Sequence, residues 1–237
     1  MSKNSRDNKE QQFVLDENTS FQVQEAYKNL RTNVQFSLPS GGCKLIGVTS
    51  AERGEGKSTT TVNLAISFAQ LGKKVAVVDG DMRLPTVAKK LKMRGTPGLS
   101  NYIVGDCEFK DICLPDRKHN MLVIPSGNIP PEPTWLLQSE AMKEVIDRLR
   151  DTVDYIFLDL PPATVVSDAQ MLSEMVDGYL LVVQSGDTSQ KKIAELISNL
   201  QLVNAKILGF VNTRSNAGRR SHYYRSYKNS NYYYYGK

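Results

Sequence analysis

Cysteine, histidine and tryptophan are scarce: three, two and one in 237 residues. Cys43, Cys107 and Cys113 show neither the spacing of a zinc site nor a paired framework. Their scarcity excludes a zinc finger and a disulfide-stapled secreted module, and fits a reducing, cytoplasmic compartment. Long apolar runs are missing as well. No stretch approaches the roughly 18 consecutive apolar residues that cross a bilayer, and the opening MSKNSRDNKEQQF lacks the apolar core of a signal peptide. Acidic residues are missing from the C-terminal end: the last is Glu195, and seven basic residues follow it. Residues 1–195 therefore hold 23 Lys and Arg against 25 Asp and Glu, a net charge of −2, although the whole chain carries +5. The basic character belongs to the end of the chain and gives no sign of a nucleic-acid-binding body. With 40% hydrophobic and 23% charged residues, there is enough apolar material for one sizeable folded domain.

Residues 1–20 are polar and read as a flexible arm. A helix is predicted over 21–36, where Val23, Tyr27, Leu30 and Val34 recur at helical spacing, and Pro39-Ser40-Gly41-Gly42 ends it. From Lys44 short apolar runs alternate with longer amphipathic ones. KLIGVTS, KVAVVDGD, MLVIPSG, DYIFLDLPP, GYLLVVQ and KILGFVNT read as strands. STTTVNLAISFAQLG reads as a helix closed by Gly72, and further helices fall at Met142–Leu149, near 165–176 and at Ile193–Val203. Apolar strands separated by helices specify an α/β domain over 21–214, a mostly parallel sheet with helices on both faces. Residues 215–237 have no hydrophobic period, and seven of the eleven tyrosines lie in the last fifteen residues. This segment reads as a disordered, tyrosine-rich tail. His119 and His222 read as solvated, and Trp135, after a proline-rich loop, as a packing anchor.

The strongest local signal is GVTSAERGEGKSTTT, a strand running into a glycine-rich loop that opens a helix. This is the context of a nucleotide-binding P-loop. Gly54 and Gly56 let backbone amides curl around a phosphate chain. Lys57 would reach the β- and γ-phosphates, Ser58 would offer its hydroxyl to Mg²⁺, and the helix N-terminus adds its positive dipole end. The candidate nucleotide-binding set is Gly54, Glu55, Gly56, Lys57, Ser58 and Thr59. Ala51 stands where the motif usually begins with glycine.

Two further strands end in acid: VAVVDGDMR supplies Asp79, Asp81 and Arg83, and IFLDLPP supplies Asp159. In a parallel sheet these ends lie beside the phosphate loop. Three aspartates there would repel one another without a cation, so they are expected to gather around one Mg²⁺ and one triphosphate, partly through water.

GEGKST, DGDMR and FLDLPP together resemble the bacterial tyrosine kinases of the capsular and exopolysaccharide type, the CpsD/CapB group, whose DxDxR motif is a second Walker-type signature. Over nearly the whole chain the resemblance implies a P-loop NTPase fold and a protein-tyrosine kinase that uses ATP and Mg²⁺. It implies catalytic roles for Lys57, Asp79, Asp81, Arg83 and Asp159, with Ser58, Asp81 and Asp159 on the metal. Asp79 is the candidate base for the incoming phenol, and Asn212 sits where relatives contact adenine. Glu25, Lys28 and Arg31 match an ExxRxxR oligomerisation motif, with lysine in place of the first arginine. Tyr223, Tyr224, Tyr227, Tyr232, Tyr233, Tyr234 and Tyr235 match a phosphoacceptor cluster, used in trans within a ring-shaped homo-oligomer. The implied partners are a separate transmembrane activator or polysaccharide co-polymerase and a protein-tyrosine phosphatase. The implied location is the inner face of the membrane, reached through that activator. No nucleic-acid partner is expected, because Tyr232–Tyr235 lacks the interspersed charge of a phosphate track. Two other readings stand beside this one. A positioning ATPase of the ParA/MinD type shares the loop and the DxDxR logic, but carries a second lysine where this chain has Glu52. A nucleotide-dependent scaffold would have its tail phosphorylated by another enzyme.

Overall fold

Residues 14–214 are described by the computed structural model; the seven candidate acceptor tyrosines and His222 lie outside them. Helix α1 (Phe21–Ser37) leads to strand β1 (Lys44–Ser50) and helix α2 (Lys57–Ala69). After β2 (Val75–Asp79) come three short helices, α3 (Val87–Lys90), α4 (Leu99–Ile103) and α5 (Phe109–Ile112). The chain continues through β3 (Leu114–Asp116), β4 (Met121–Ile124), α6 (Pro133–Leu137), α7 (Glu140–Arg150) and β5 (Tyr155–Asp159). It closes with α8 (Asp168–Met171), β6 (Gly178–Gln184), α9 (Gln190–Gln201) and β7 (Ile207–Thr213).

The strands form one sheet in the order β3-β4-β2-β5-β1-β6-β7. Every neighbouring pair is parallel except β3 and β4. Period-two alternation sorts the strand residues onto two faces. Ile46, Val48, Val75, Val77, Phe157, Leu180 and Val182 pack with α2 and with Val34 of α1. Leu45, Ala76, Val78, Ile156, Leu158, Tyr179 and Leu181 face Met142, Val145 and Leu149 of α7 and Leu196 and Leu200 of α9. Helix α2 is buried on almost every side, because the sheet covers one flank and α1 the other. This burial explains its run of small and apolar residues after the loop.

Several expectations change. The antiparallel edge strand β3 has no signal in the sequence; it is three residues long and contains Pro115, which suits only an edge. The helix expected near 165–176 is a single turn, Asp168–Met171. Within the polar N-terminal segment Leu15 is buried, and its N–H donates to Asn63 Oδ1 on α2 at 2.8 Å. Trp135 is no packing anchor, being 73% exposed. His119 is not solvated; its Nδ1 lies 2.6 Å from Asp116 Oδ2 in the β3–β4 turn, and its Nε2 is buried.

At Gly47, in the strand that feeds the loop, an added Cβ would stand 2.6 Å from Tyr179 Cε1. The Tyr179 ring is held by its own hydroxyl, which donates to Ala169 O at 2.6 Å. Gly47→Ala should therefore lower the unfolding free energy by about 1–3 kcal/mol through overpacking. Denaturant titration checks this, and an unchanged midpoint would show that the ring yields freely.

Candidate functional site

Strands β1, β2 and β5 are adjacent and parallel, so their carboxyl ends open onto one face of the molecule. Asp79 and Asp159 are register partners across β2 and β5, and Val48 of β1 is the partner of Asp159 on the other side. The loop 51–56 leaves the end of β1 directly beside them. Gly54 and Gly56 take left-handed backbone conformations, φ +85° and +93°, which is where glycine is required. Gly56 also caps α2, and a Cβ added there would stand 3.4 Å from Thr213 Cγ2; Thr213 Oγ1 donates to Glu55 O at 2.7 Å.

Lys57 lies at the centre. Its Nζ is 2.7 Å from Asp81 Oδ2, 3.8 Å from Asp159 Oδ2 and 3.3 Å from Ser58 Oγ. Burial alone would push the ammonium down, but Asp159 and Asp81 outweigh it and hold the group above its ordinary range. Asp159 is fully buried, and Thr61 Oγ1 donates to its Oδ1 at 3.2 Å. Desolvation pushes its carboxyl up, while Lys57 and the Ser58 and Thr61 hydroxyls pull it back. Asp81 Oδ1 accepts from Leu84 N at 3.0 Å, closing the turn that follows β2. Asp79 is fully buried and spends Oδ2 on the backbone N–H groups of Thr86 and Val87, at 3.1 and 3.0 Å. Its Oδ1 is buried without a hydrogen-bond partner, as is Asp159 Oδ2. Desolvation first and the Asp159 charge second hold Asp79 well above the usual carboxylate range.

Other expected residues fall elsewhere. Arg83 does not join the carboxylates around Lys57; it turns to Asp168, Nε to Oδ2 at 3.3 Å, and to Thr134 Oγ1 at 3.0 Å. It still lines a small depression beside the loop, with Arg53, Asp81 and Leu84. Glu55 is buried, and its carboxylate accepts from Glu52 N at 2.8 Å and from the Thr188 hydroxyl. Its side chain therefore braces the loop against the β6–α9 turn. Thr59 is half-buried on the first turn of α2. Asn212 is exposed on the edge strand β7, next to Thr213. Lys28 pairs with Glu25 inside α1 at 2.7 Å. Arg31 is turned onto α2, donating from Nη1 to Ser67 O at 2.6 Å. Thr134, Asp168 and Thr188 carry no motif and were invisible in the sequence.

The residues present suit Mg²⁺. Ser58, Asp81 and Asp159 offer hard oxygens, and Asp159 Oδ2 lacks a hydrogen-bond donor. Among the described residues no three or more His, Cys, Asp or Glu side chains form a cage of their own. Mg²⁺ commonly takes one or two carboxylates and fills its remaining sites from phosphate and water.

A family model described as an AAA domain matches residues 43–213. The chain is 35% identical over 195 residues to tyrosine-protein kinase CpsD of Streptococcus agalactiae, covering 82% of this chain and 83% of that protein. It is 37% identical to tyrosine-protein kinase YwqD of Bacillus subtilis, covering 84% of each. Among solved structures, the kinase domain of Escherichia coli tyrosine kinase ETK superposes with a TM-score of 0.76 at 27% identity, covering 90% of this chain and 80% of that one. The fold is that of a P-loop NTPase, and the chain belongs to the family of bacterial tyrosine-protein kinases. No helix of the described residues is long and apolar enough to cross a membrane.

Asp79 makes the site pH-sensitive. Between the ordinary aspartate value of 3.8 and its raised folded value, the folded chain keeps a proton that the unfolded chain has lost. Stability therefore falls as pH rises through that window. Asp79→Asn has no charge to desolvate, and its amide oxygen can still accept from Thr86 and Val87. Its melting temperature should gain on wild type as pH rises from 4 towards neutrality; parallel melting curves would refute this account.

Proposed function

We propose that this chain transfers the γ-phosphoryl group of Mg-ATP to the tyrosines of its own C-terminal cluster, in trans within a homo-oligomer, and thereby regulates capsular or exopolysaccharide synthesis. The observation that carries the reading is where the chain leaves the fold. Thr213, the last residue of β7, is bonded to the phosphate loop, and the tyrosine cluster begins ten residues later at Tyr223. Ten residues span at most ~35 Å when extended. A tether of that length keeps its tyrosines at raised effective concentration near an active site, so weak intrinsic affinity for the acceptor suffices. The family membership supports the same chemistry, and CpsD and YwqD carry the name tyrosine-protein kinase.

Phosphoryl transfer is mainly positioning and charge neutralisation. Lys57 is the cation for the β- and γ-oxygens, and the amides of the loop orient the phosphate chain. Ser58, Asp81 and Asp159 would hold Mg²⁺, which supplies charge neutralisation at the phosphate oxygens when bound. Asn212 is assigned to the adenine. A membrane-spanning activator would bring the chain to the inner face of the membrane, and a phosphatase would reset the tail.

Anti-phosphotyrosine detection with Mg-ATP should give signal in wild type. It should fall at least about 100-fold in Lys57→Met, which removes the central charge donor, and vanish in a chain truncated after Ala217. The assay is run with and without a candidate activator's cytoplasmic tail. Steady phosphate release without phosphotyrosine would favour the positioning ATPase instead.

Asp79 is assigned the phenolic proton through Oδ1, its oxygen without a donor; the carboxyl must first ionise, which the charge of a bound Mg²⁺ would favour. The carboxylate is fully buried, so this role requires the 79–87 turn to open. Asp79→Asn separates base from turn-holder. A base gives lost transfer with nucleotide binding retained, whereas undiminished phosphotyrosine would leave Asp79 only the turn to hold.

Seven phosphotyrosines would add roughly −10 to −14 of charge, at about −1.5 to −2 each, against +5 for the whole chain. Tails converging in one assembly would then repel. The phosphorylated form should elute as a smaller assembly than the unphosphorylated form at equal concentration, and equal masses would refute the charge argument.

A further inference from the structure

Asp168 is a fully buried carboxylate outside every recognised motif. It opens α8, eight residues after the loop that follows Asp159 begins. Leaving such a group unpaired would be costly. Its partners are Arg83 and Thr134: Arg83 Nε donates to Oδ2 at 3.3 Å, Arg83 Nη2 reaches Oδ1 at 3.4 Å, and Thr134 Oγ1 donates to Oδ1 at 2.8 Å. Thr134 in turn accepts from Arg83 Nη2 at 3.0 Å. The three side chains close a ring of hydrogen bonds among the turn after β2, the loop after β5, and α6.

That ring ties together the two strand ends that carry the site's carboxylates. The turn after β2 is pinned at Asp79 and Asp81 by backbone N–H groups, and Arg83 is its third anchor. The loop after β5 is pinned at Thr49, whose Oγ1 donates to Pro161 O at 2.7 Å, and Asp168 is its far anchor. Between them lies the depression lined by Arg53, Asp81 and Arg83. With Nε and Nη2 spent on Asp168 and Thr134, Nη1 is the Arg83 nitrogen left to meet a ligand there.

We propose that Asp168, supported by Thr134, is a positioning residue for phosphoryl transfer. It acts through Arg83, fixing the guanidinium and the distance between the Asp81 and Asp159 strand ends. The inference rests on the kinase reading above. A misplacement of about 1 Å at such a site costs on the order of 100-fold in rate. Asp168→Asn, which keeps shape and removes charge, should lower the phosphotyrosine rate about 10–100-fold, with Mg-ATP affinity within about twofold of wild type by fluorescent-nucleotide titration. Arg83→Ala should lose a similar factor, and the double variant should lose no more than either single one. Thr134→Val should fall in the same direction by a smaller factor.

A full rate in Asp168→Asn would overturn the proposal. So would factors that multiply in the double variant, or a rate loss that merely follows melting temperature across the series. The kinase reading fails by a different result: a wild type that binds Mg-ATP and makes no phosphotyrosine takes both proposals down. Equal activity in wild type and Asp168→Asn removes this one alone.

Discussion

One ammonium group among three buried carboxylates is the constraint around which the molecule is organised. Asp79, Asp81 and Asp159 are almost wholly removed from water, and Lys57 is the cation placed between two of them. Strand pairing creates the conflict, since it sets Asp79 and Asp159 side by side in register. The helix start resolves part of it by directing Lys57 into the same space. The remainder shows as raised proton affinity at Asp79 and Asp159 and as carboxylate oxygens without donors. A site in this condition favours an added cation.

The surrounding structure limits how the cluster can relax. The turn after β2 is closed by its own aspartates, each accepting backbone N–H groups, so Asp79 and Asp81 shape the loop as well as charge it. Glu55 braces the phosphate loop through Thr188 on one side, and its backbone carbonyl accepts from Thr213 on the other. The same small region thus joins the nucleotide loop to the last residue of β7.

Much of this was legible without coordinates. Apolar runs such as KLIGVTS and GYLLVVQ, buried on both faces, announce parallel strands. GEGKST after such a run announces a phosphate loop, because few other requirements demand glycines, lysine and a hydroxyl in that order. The illegible parts have common causes. Strand β3 is short, contains proline and is defined only by pairing with β4. Trp135 and His119 exchange their expected environments because burial of one side chain depends on neighbours far away in sequence. Thr134, Thr188 and Asp168 belong to no motif; they matter through partners 51, 133 and 85 residues distant.

The amino-acid sequence alone determined the class of the protein: the α/β alternation, the phosphate loop, the acidic strand ends and the tyrosine-rich end are local patterns carried by neighbouring residues. Only the tertiary structure decided what each charged group faces. It turned Arg83 to Asp168, set Arg31 on Ser67, spent one oxygen of Asp79 on a turn and gave Glu55 to Thr188. Electrostatic partners are chosen by distance and desolvation, and both come into being only when strands and helices separated by many residues are packed together.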